Sequence, residues 1–337
     1  MDLTKSTKII ISLSLIAGAA IVFVYVQQTQ TNPNIEVVVN NSSESDNNIT
    51  HPMAIENLRQ REYPGGEFTI EEELPGGLNH SQYIASYLSE GLKIYGLLTI
   101  PDSPMPEGGY PAVVFVHGYI PPNEYSTTGS YPTYPLYLAR NGFIVFKPDL
   151  RGHGRSEGEP VSAHYSEKYV IDTLYSINYL KNHELVNPNR IGYWGHSNGG
   201  QIGLRTALID PTIKAASLWA GVVGSYEAMF ETYANNMDFI DTENPLTREY
   251  GIPSEGGEFW RAVEPYEYLG DIEIPIELQH GTEDKSVPVE LSVELKDALE
   301  SREKDVVYHE YEGDDHNISM NVNTAWQRSI SFFKENL

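Results

Sequence analysis

The sequence predicts an α/β domain in which helices cover both faces of a mostly parallel sheet. The chain has 337 residues, of which 40% are hydrophobic, and this is enough to bury one large core. Short apolar runs typical of buried strands alternate with helix-like segments such as residues 166–182. Alternation of this kind indicates a three-layer sandwich of helices, sheet and helices.

The strand-like runs fall into two groups. Three antiparallel-looking runs are predicted to form the leading edge of the sheet: residues 68–74, 83–89 and 92–100. Six parallel strands are predicted to follow: residues 112–116, 143–147, 190–194, 215–219, 274–279 and 305–311. The interval at about 222–270 is too long for one ordinary crossover, so we predict a lid there.

The motif Gly-His-Ser-Asn-Gly at residues 195–199 directly follows one of these runs. A sharp turn from strand to helix presents its central serine, Ser197, as a nucleophile. Gly195 and Gly199 suit this turn because side chains there would collide with neighbouring backbone. The following helix favours negative charge beside the serine through its N-terminal amides and dipole. The motif predicts acyl chemistry, although so short a pattern also occurs as a structural glycine turn.

A serine nucleophile needs a histidine to accept its proton and a carboxylate to orient the imidazole. In hydrolases with this turn the three residues follow in the order serine, acid, histidine. Asp284 occupies the acid position, in the loop after the run at 274–279. His316 occupies the base position, after the run at 305–311. These two residues are the predicted partners of the serine.

An oxyanion hole needs backbone amides directed at the developing negative oxygen. The buried run at 112–116 leads into His-Gly-Tyr at residues 117–119. We predict that the amides of Tyr119 and Asn198 are the two donors. Each residue lies just past a strand end, where the open edge of a parallel sheet collects active sites.

Other residues of the same types have simpler interpretations. His117, His153 and His280 each stand beside a glycine at a predicted strand end, and each could act as a base or metal ligand in isolation. Hydrogen bonds to loop backbone explain them better. Glu283 and Asp315 are rival carboxylates, but Glu283 precedes the usual turn position and Asp315 fits a solvated loop.

No pattern in the sequence indicates a metal or a cofactor. The chain contains no cysteine, no His-Glu-x-x-His motif and no regularly spaced aspartate loop. The glycine-rich segment 151–158 lacks the spacing of a phosphate-binding loop. We therefore expect no metal site, no cofactor and no bound nucleotide.

The motifs together resemble the α/β-hydrolase superfamily, and most closely the catalytic domain of the prolyl oligopeptidase family and its esterase relatives. The resemblance covers about residues 66–337 and implies a mostly parallel eight-stranded sheet with a lid insertion after the sixth strand. It implies Ser197 as nucleophile, Asp284 as acid, His316 as base, and the Tyr119 and Asn198 amides as oxyanion hole. It rests on motifs at 117–118, 149–156, 195–200, 280–288 and 313–316.

The chain departs from the family's peptidases at two points. Those peptidases often have a second glycine after His-Gly, where this chain has Tyr119. They also carry a long β-propeller before the catalytic domain, whereas some 65 residues precede it here, so gating by a propeller is not expected.

The expected function is hydrolysis of small or medium acyl esters through an acyl-enzyme intermediate. The alternative is a serine peptidase acting on short peptides, which would need a pocket for a free amine, from Glu255 or Glu258. A binding protein that has lost catalysis is a third interpretation. The intact Ser197, Asp284 and His316 argue against it.

The net negative charge of the chain restricts the molecules and surfaces that it can bind. The chain has 22 Lys and Arg against 47 Asp and Glu, a net charge of −25, which would repel nucleic acid and anionic membrane surfaces. The predicted lid contains ten acids, only two arginines and nine aromatic residues. Packing of the lid onto the body explains the aromatic residues best. The acidity favours neutral or cationic substrates over anionic ones.

The N-terminal sequence predicts where in the cell the protein is located. An uncharged stretch of 18 residues at 9–26 follows two lysines and, as a helix, is long enough to span a bilayer. We predict a membrane anchor at 1–26 with the catalytic domain outside the cytoplasm, the alternative being a signal peptide and secretion. Residues 27–65 are polar and turn-prone, which predicts a flexible stalk.

Overall fold

The computed structural model describes residues 51–233 and 245–337. The predicted anchor at 1–26 and the first part of the predicted stalk, 27–50, lie outside these residues. Within the two described ranges, no helix combines the length and the apolar character needed to cross a membrane.

A sheet of nine strands forms the centre of the described domain. In space the strands follow the order β1-β2-β3-β5-β4-β6-β7-β8-β9. Strands β4 to β9 are parallel, while β1, β2 and β3 form an antiparallel edge. All nine predicted runs are confirmed, with their directions. Their bounds are β1 Thr69–Leu74, β2 His80–Ser89, β3 Leu92–Pro101, β4 Tyr110–Val116, β5 Ile144–Pro148, β6 Val186–His196, β7 Ala215–Trp219, β8 Ile276–Gly281 and β9 Val306–Tyr311.

The sheet therefore has one strand more than the eight that the family resemblance implies. The additional strand is β1, which pairs with β2 so that Thr69 lies opposite Ser86 and Leu74 opposite Gln82. Its acidic residues are half-buried or exposed, as suits an edge strand. Because β1 precedes the eight strands, the long insertion follows the seventh strand here, β7, rather than the sixth.

Helices cover both faces of the sheet, so the predicted three-layer sandwich is confirmed. One apolar core lies between the sheet and helices α3, α4 and α8, and a second lies between the sheet and helices α2 and α9. The C-terminal helix α9 places Trp326 and Phe333 in the second core, fully buried. The helix bounds are α1 Ile55–Gln60, α2 Tyr134–Ala139, α3 Lys168–Lys181, α4 Asn198–Ile209, α5 Tyr226–Tyr233, α6 Pro245–Tyr250, α7 Glu258–Val263, α8 Val289–Glu300 and α9 Val322–Asn336.

Residues 51–65 belong to the folded domain, so the prediction of a flexible stalk over 27–65 is wrong for this part. Met53, Ile55 and Leu58 are buried, and the last two lie on helix α1. The fully buried Arg205 on α4 donates a hydrogen bond to the Met53 carbonyl at 3.1 Å. The segment is polar on average, but Ile55 and Leu58 join the core beside α3 and α4, while Met53 joins a separate apolar cluster.

The insertion between β7 and β8 contains α5, α6 and α7. Its aromatic side chains Tyr226, Phe259 and Trp260 are buried in a third apolar cluster, together with Met53 and Leu291. This packing confirms the interpretation that the aromatic residues hold the insertion on the body. Phe239, in the same insertion, lies outside the described residues.

A buried ion pair fixes the loop after β5. Arg151 donates to the Asp172 carboxylate through Nε at 3.0 Å and Nη2 at 2.6 Å, and its backbone amide donates to the same carboxylate at 3.0 Å. Ser89 Oγ donates to it as well, at 2.6 Å. The Asp172 side chain is fully buried and that of Arg151 nearly so. The pair ties the end of β2, the 149–156 loop and helix α3 together.

We expect Asp172→Ala to lower the free energy of unfolding by about 3–5 kcal/mol, because it leaves Arg151 buried without its main partner. Chemical denaturation with far-UV circular dichroism measures the change. Glu56→Ala is the matched control, because it removes an exposed partner of Arg59 and should cost less than about 1 kcal/mol. Equal effects of the two substitutions would contradict the assignment.

Candidate active site

Ser197 lies at the turn between β6 and α4, as predicted. Its backbone has φ 55° and ψ −118°, a conformation that residues other than glycine seldom adopt. The Ser197 amide donates to the Trp219 carbonyl at 3.0 Å, and the Ser197 carbonyl accepts from the amides of Gly200 and Val222. These bonds, to the end of β7 and to the first turn of α4, hold the strained turn.

Glycines are required on both sides of this serine. A Cβ at Gly195 would lie closer than 3.0 Å to the Gly199 carbonyl, and a Cβ at Gly199 equally close to the Val116 carbonyl at the end of β4. Rigid backbone stands at both positions, so neither clash can be relieved by rotating a side chain. Tyr193 Oη also donates to the Gly199 carbonyl at 2.6 Å, which locks the first turn of α4.

Asp284 and His316 are brought into direct contact. His316 Nδ1 lies 2.7 Å from Asp284 Oδ2, and the Asp284 side chain is fully buried while that of His316 is 20% exposed. Because the carboxylate accepts, Nδ1 carries the proton and Nε2 presents its lone pair. The backbones of their two loops are also joined, since the Glu283 amide donates to the Asp314 carbonyl at 2.9 Å.

Four donors hold the Asp284 carboxylate. His280 Nε2 donates to Oδ2 at 3.0 Å, beside His316, and the amides of Ser286 and Val287 donate to Oδ1 at 2.8 and 2.9 Å. Burial by itself raises the pKa of Asp284, but the hydrogen bonds from His280, His316 and Val287 outweigh burial and bring the pKa below its usual range. The carboxylate is therefore ionised whenever the domain is folded near neutral pH.

The rival carboxylates do not reach the His316 ring. Glu283 is exposed and pairs with Lys285 at 2.6 Å. Asp315 accepts hydrogen bonds from the amides of Asn317 and Ser319 in its own loop. The geometry therefore favours Asp284 over both.

His196, the residue directly before Ser197, contacts the predicted base. The His196 ring lies 4.5 Å from the His316 ring between centroids, and His196 Nε2 donates to the His316 carbonyl at 2.9 Å. The Ser197 hydroxyl itself has no hydrogen-bond partner within the described part of the chain. Catalytic hydrogen bonds are often long before substrate binds, so this arrangement is compatible with proton transfer once the site is occupied.

The two predicted oxyanion donors are available. Neither the amide of Tyr119 nor that of Asn198 donates a hydrogen bond to any described residue. Asn198 is the first residue of α4, whose amides and dipole point at the turn. Gly118, directly before Tyr119, is so close to Ser197 that a Cβ on it would lie 2.9 Å from the serine Cβ. Both amides therefore belong to residues close to the serine and have no acceptor among the described residues.

The three histidines that stand beside a glycine bond to loop backbone as expected, with one addition. His117 pairs with the Gly118 and Asp149 carbonyls, and His153 with the Arg151 carbonyl. His280 also bonds to a backbone carbonyl, that of Val287, but its contact with Asp284 makes it part of the site.

The insertion touches the loops that carry the site. Tyr226 Oη donates to the His164 carbonyl, and His164 Nε2 lies 3.3 Å from Asn198 Oδ1. Glu255 is exposed and accepts from the Ile252 amide, within its own turn, and Glu258 is exposed as well. No contact among the described residues links either glutamate to Ser197.

The sequence of the chain matches the family model of the prolyl oligopeptidase family over residues 130–337, more than half of its length. The chain belongs to this family. As a prolyl oligopeptidase family member it is a serine hydrolase. It is 30% identical over 226 residues to the uncharacterized peptidase YtmA of Bacillus subtilis strain 168, an alignment that spans 66% of this chain and 81% of the relative.

Solved structures of other proteins have a similar fold. An acetyl xylan esterase from Paenibacillus sp. R4 is similar with a TM-score of 0.65 at 18% identity, over 84% of this chain and 92% of that one. A puromycin-hydrolyzing peptidase of Mycobacterium tuberculosis is similar with a TM-score of 0.60 at 22% identity, over 76% of this chain and 39% of that one. The α/β-hydrolase fold of this family member is thereby shown.

Four residues of the site were not found from the sequence. The sequence indicates for His280 only bonds to loop backbone, and His196 follows its strand too closely to be expected to face the neighbouring serine. Tyr131 lies in no motif, and Asp314 lies in the 313–316 motif without a predicted role. Asp314 accepts from the amides of Asp315, Met320 and Asn321 and shapes the His316 loop. The His-Gly pair at 280–281 was the signal available for the first. Nothing in the sequence singles out Tyr131 among the many tyrosines of the chain.

We expect Gly199→Ala to abolish activity and to lower stability, because the new methyl group has no space beside the Val116 carbonyl. Ester hydrolysis and the thermal midpoint measure both effects. Gly270→Ala is the control, since a Cβ there meets no atom within 4 Å. A fully active Gly199→Ala variant would show that the turn is looser than described.

The Asp284 carboxylate should also contribute to pH-dependent stability. Its pKa in the folded state lies below the unfolded value of about 4, so its contribution is complete above that pH and is lost as pH falls toward the folded pKa. Between pH 5 and pH 3 the stability advantage of the natural protein over Asp284→Asn should shrink by about 1 kcal/mol. Denaturant titrations of both proteins at each pH measure this. A constant difference would contradict the lowered pKa.

Proposed function

We propose that this serine hydrolase cleaves acyl esters of small or medium size through an acyl-enzyme intermediate. Ser197 is the nucleophile, His316 the general base and acid, and Asp284 the residue that orients His316. The amides of Tyr119 and Asn198 form the oxyanion hole. No cofactor enters the reaction.

In the first half of the reaction, Ser197 Oγ attacks the acyl carbon while His316 Nε2 accepts its proton. The carbonyl oxygen becomes an oxyanion in front of the two free amides, which are already fixed in place and need no rearrangement. The bond to the leaving alcohol then breaks, and His316 returns the proton to the alcohol oxygen. Asp284 stabilises the imidazolium that exists between these steps.

In the second half, water takes the place of the alcohol. His316 Nε2 accepts a proton from the water as its oxygen attacks the acyl carbon, and the same amides hold the second oxyanion. Collapse of this intermediate releases the acid and returns the proton to Ser197 Oγ. The cycle uses one water for each ester bond.

The observation that carries the proposal is the bond of 2.7 Å between His316 Nδ1 and the buried Asp284 carboxylate. It fixes the tautomer in which Nε2 accepts a proton, and the His196 ring 4.5 Å away places that imidazole beside the residue next to Ser197. A histidine so oriented, in contact with the residue before a serine on a strained turn, supports acyl transfer by this pair.

Esters are preferred over peptides in this proposal for two reasons. Ester bonds are easier to break than amides, so the same machinery acts on them first. Glu255 and Glu258, the candidates for binding a free amine, are exposed, and Glu255 accepts a hydrogen bond within its own turn. Relatives include proteins described as peptidases, so short peptides are the alternative substrate class.

We expect Ser197→Ala to lose labelling by a fluorophosphonate probe and to lose at least about 10³-fold in kcat on p-nitrophenyl esters. Ser331→Ala, which changes an exposed serine on α9, should keep both. Labelling that survives in Ser197→Ala would overturn the assignment of the nucleophile.

A substrate panel on the natural protein separates the alternatives. Acyl esters of two to ten carbons should be cleaved with higher kcat/KM than aminoacyl and dipeptidyl amides, and matched cationic esters better than anionic ones because of the acidic insertion. Faster cleavage of the aminoacyl amides would favour the peptidase alternative, and equal rates on the charged esters would remove the charge preference.

A further inference from the structure

A continuous chain of hydrogen bonds runs between the two loops that flank Ser197. The backbone amide of Gly118 donates to Tyr131 Oη at 3.0 Å, and Tyr131 Oη donates to His196 Nδ1 at 2.6 Å. His196 Nε2 then donates to the His316 carbonyl at 2.9 Å. One end of the chain is therefore next to the Tyr119 amide, and the other end is the backbone of the predicted base.

The direction of each bond follows from the protonation of its members. Burial, reinforced by the nearby His316, lowers the pKa of His196 to about 3, so its ring is neutral and has one donor and one acceptor. Burial raises the pKa of the Tyr131 phenol, which therefore keeps its proton. Tyr131 accepts from Gly118 and donates to His196, and no member of the chain can reverse its role without breaking a bond.

The backbone at Tyr131 carries a second sign of constraint. Its φ is +54°, a value that residues other than glycine seldom adopt, as at Ser197 itself. The ring is held edge-on by Phe115 at 5.6 Å and Tyr134 at 5.4 Å between centroids. His196, at the other end of the phenol bond, is only 2% exposed. The unfavourable backbone conformation of Tyr131 thus allows its hydroxyl to bond to both Gly118 and His196.

We infer that Tyr131 and His196 are positioning residues that hold the oxyanion amide and the general base in register with Ser197. The inference rests on the proposed function, since it assigns them a role in that reaction. Neither side chain touches the acyl group. Tyr131 fixes the loop that presents the Tyr119 amide, and His196 fixes the backbone of His316, whose ring is oriented separately by Asp284.

The contact with Asp284 alone does not fix the position of His316, because it acts on the ring and not on the backbone. A hydrogen bond to Nδ1 sets how the His316 ring is turned, but the position of the whole residue depends on its backbone. A displacement of about 1 Å at a reacting group can lower a rate by about 100-fold. The bond from His196 to the His316 carbonyl restrains that displacement from the side of the nucleophile.

The test uses Tyr131→Phe, His196→Leu and His196→Gln in the full chain. We expect the first two to lower kcat by about 10- to 100-fold with KM changed less than about 3-fold, because positioning affects the transition state more than binding. His196→Gln keeps an amide N–H that can donate to the His316 carbonyl, so it should recover much of the loss. The combination of Tyr131→Phe and His196→Leu should cost little more than either alone, since both break one chain.

Tyr137→Phe is the matched control. Tyr137 Oη donates to Asn323 on the surface and its ring stacks on Trp326, so the variant removes a nearby phenol hydroxyl outside the chain. Its kcat should equal that of the natural protein.

Fluorophosphonate labelling distinguishes positioning from general damage. In Tyr131→Phe the labelling rate should fall in parallel with kcat, whereas the final labelled fraction and the thermal midpoint stay near those of the natural protein.

Normal kcat in both Tyr131→Phe and His196→Leu would overturn the inference while leaving the proposed function intact. A reduced final fraction with an unchanged rate would also overturn it, as a purely structural effect. If Tyr131→Phe does not fold, the comparison of His196→Gln with His196→Leu decides. Labelling of Ser197→Ala would instead refute the proposed function itself.

Discussion

The site depends on how closely three pieces of backbone approach one another at the end of the sheet. The first turn of α4 lies against the Val116 carbonyl at the end of β4, and the loop after β4 lies against Ser197. Only glycine fits at Gly195, Gly199 and Gly118 under this constraint. The strained serine, the free amides and the loop that carries Tyr119 all result from this approach. The strain is compensated by hydrogen bonds to the end of β7 and to the first turn of α4, so the backbone at Ser197 is fixed before substrate arrives.

The hydrogen-bond donors around the buried Asp284 carboxylate are the second requirement of the site. A fully buried carboxylate is costly unless several donors surround it, and Asp284 has two imidazoles and two amides. The four donors explain both its ionisation and its fixed orientation. His280 is itself held on its other side, where Nδ1 lies 2.7 Å from Ser292 Oγ. Helix α8 therefore supports the acid through His280. The hydrogen bonds that fix His316 thus involve more residues than Ser197, Asp284 and His316 themselves.

The sequence was sufficient where a local pattern has one physical meaning. Buried parallel strands are continuous apolar runs, and all six were found; the serine turn was found because its glycines are required by sterics.

What could not be predicted depends on long-range contacts. Tyr131 meets His196 across 65 residues, and although His196 lies inside the serine motif, no local pattern marks Tyr131 as its partner. The polar average composition of 51–65 predicts a stalk, whereas Met53, Ile55 and Leu58 are buried and Arg205 bonds to the segment's backbone. The apolar runs predict all nine strands, and only the family resemblance implies eight, one fewer than the sheet contains.

The docking of that segment has a consequence for how the enzyme can be shortened. Arg205 lies two turns along α4 from the serine, is fully buried, and uses the Met53 carbonyl as an acceptor. Removal of residues 51–58 would open this guanidinium to water and uncover the apolar surface on which Ile55 and Leu58 rest. Cuts within residues 53–58 would therefore weaken the support of the helix that carries the nucleophile.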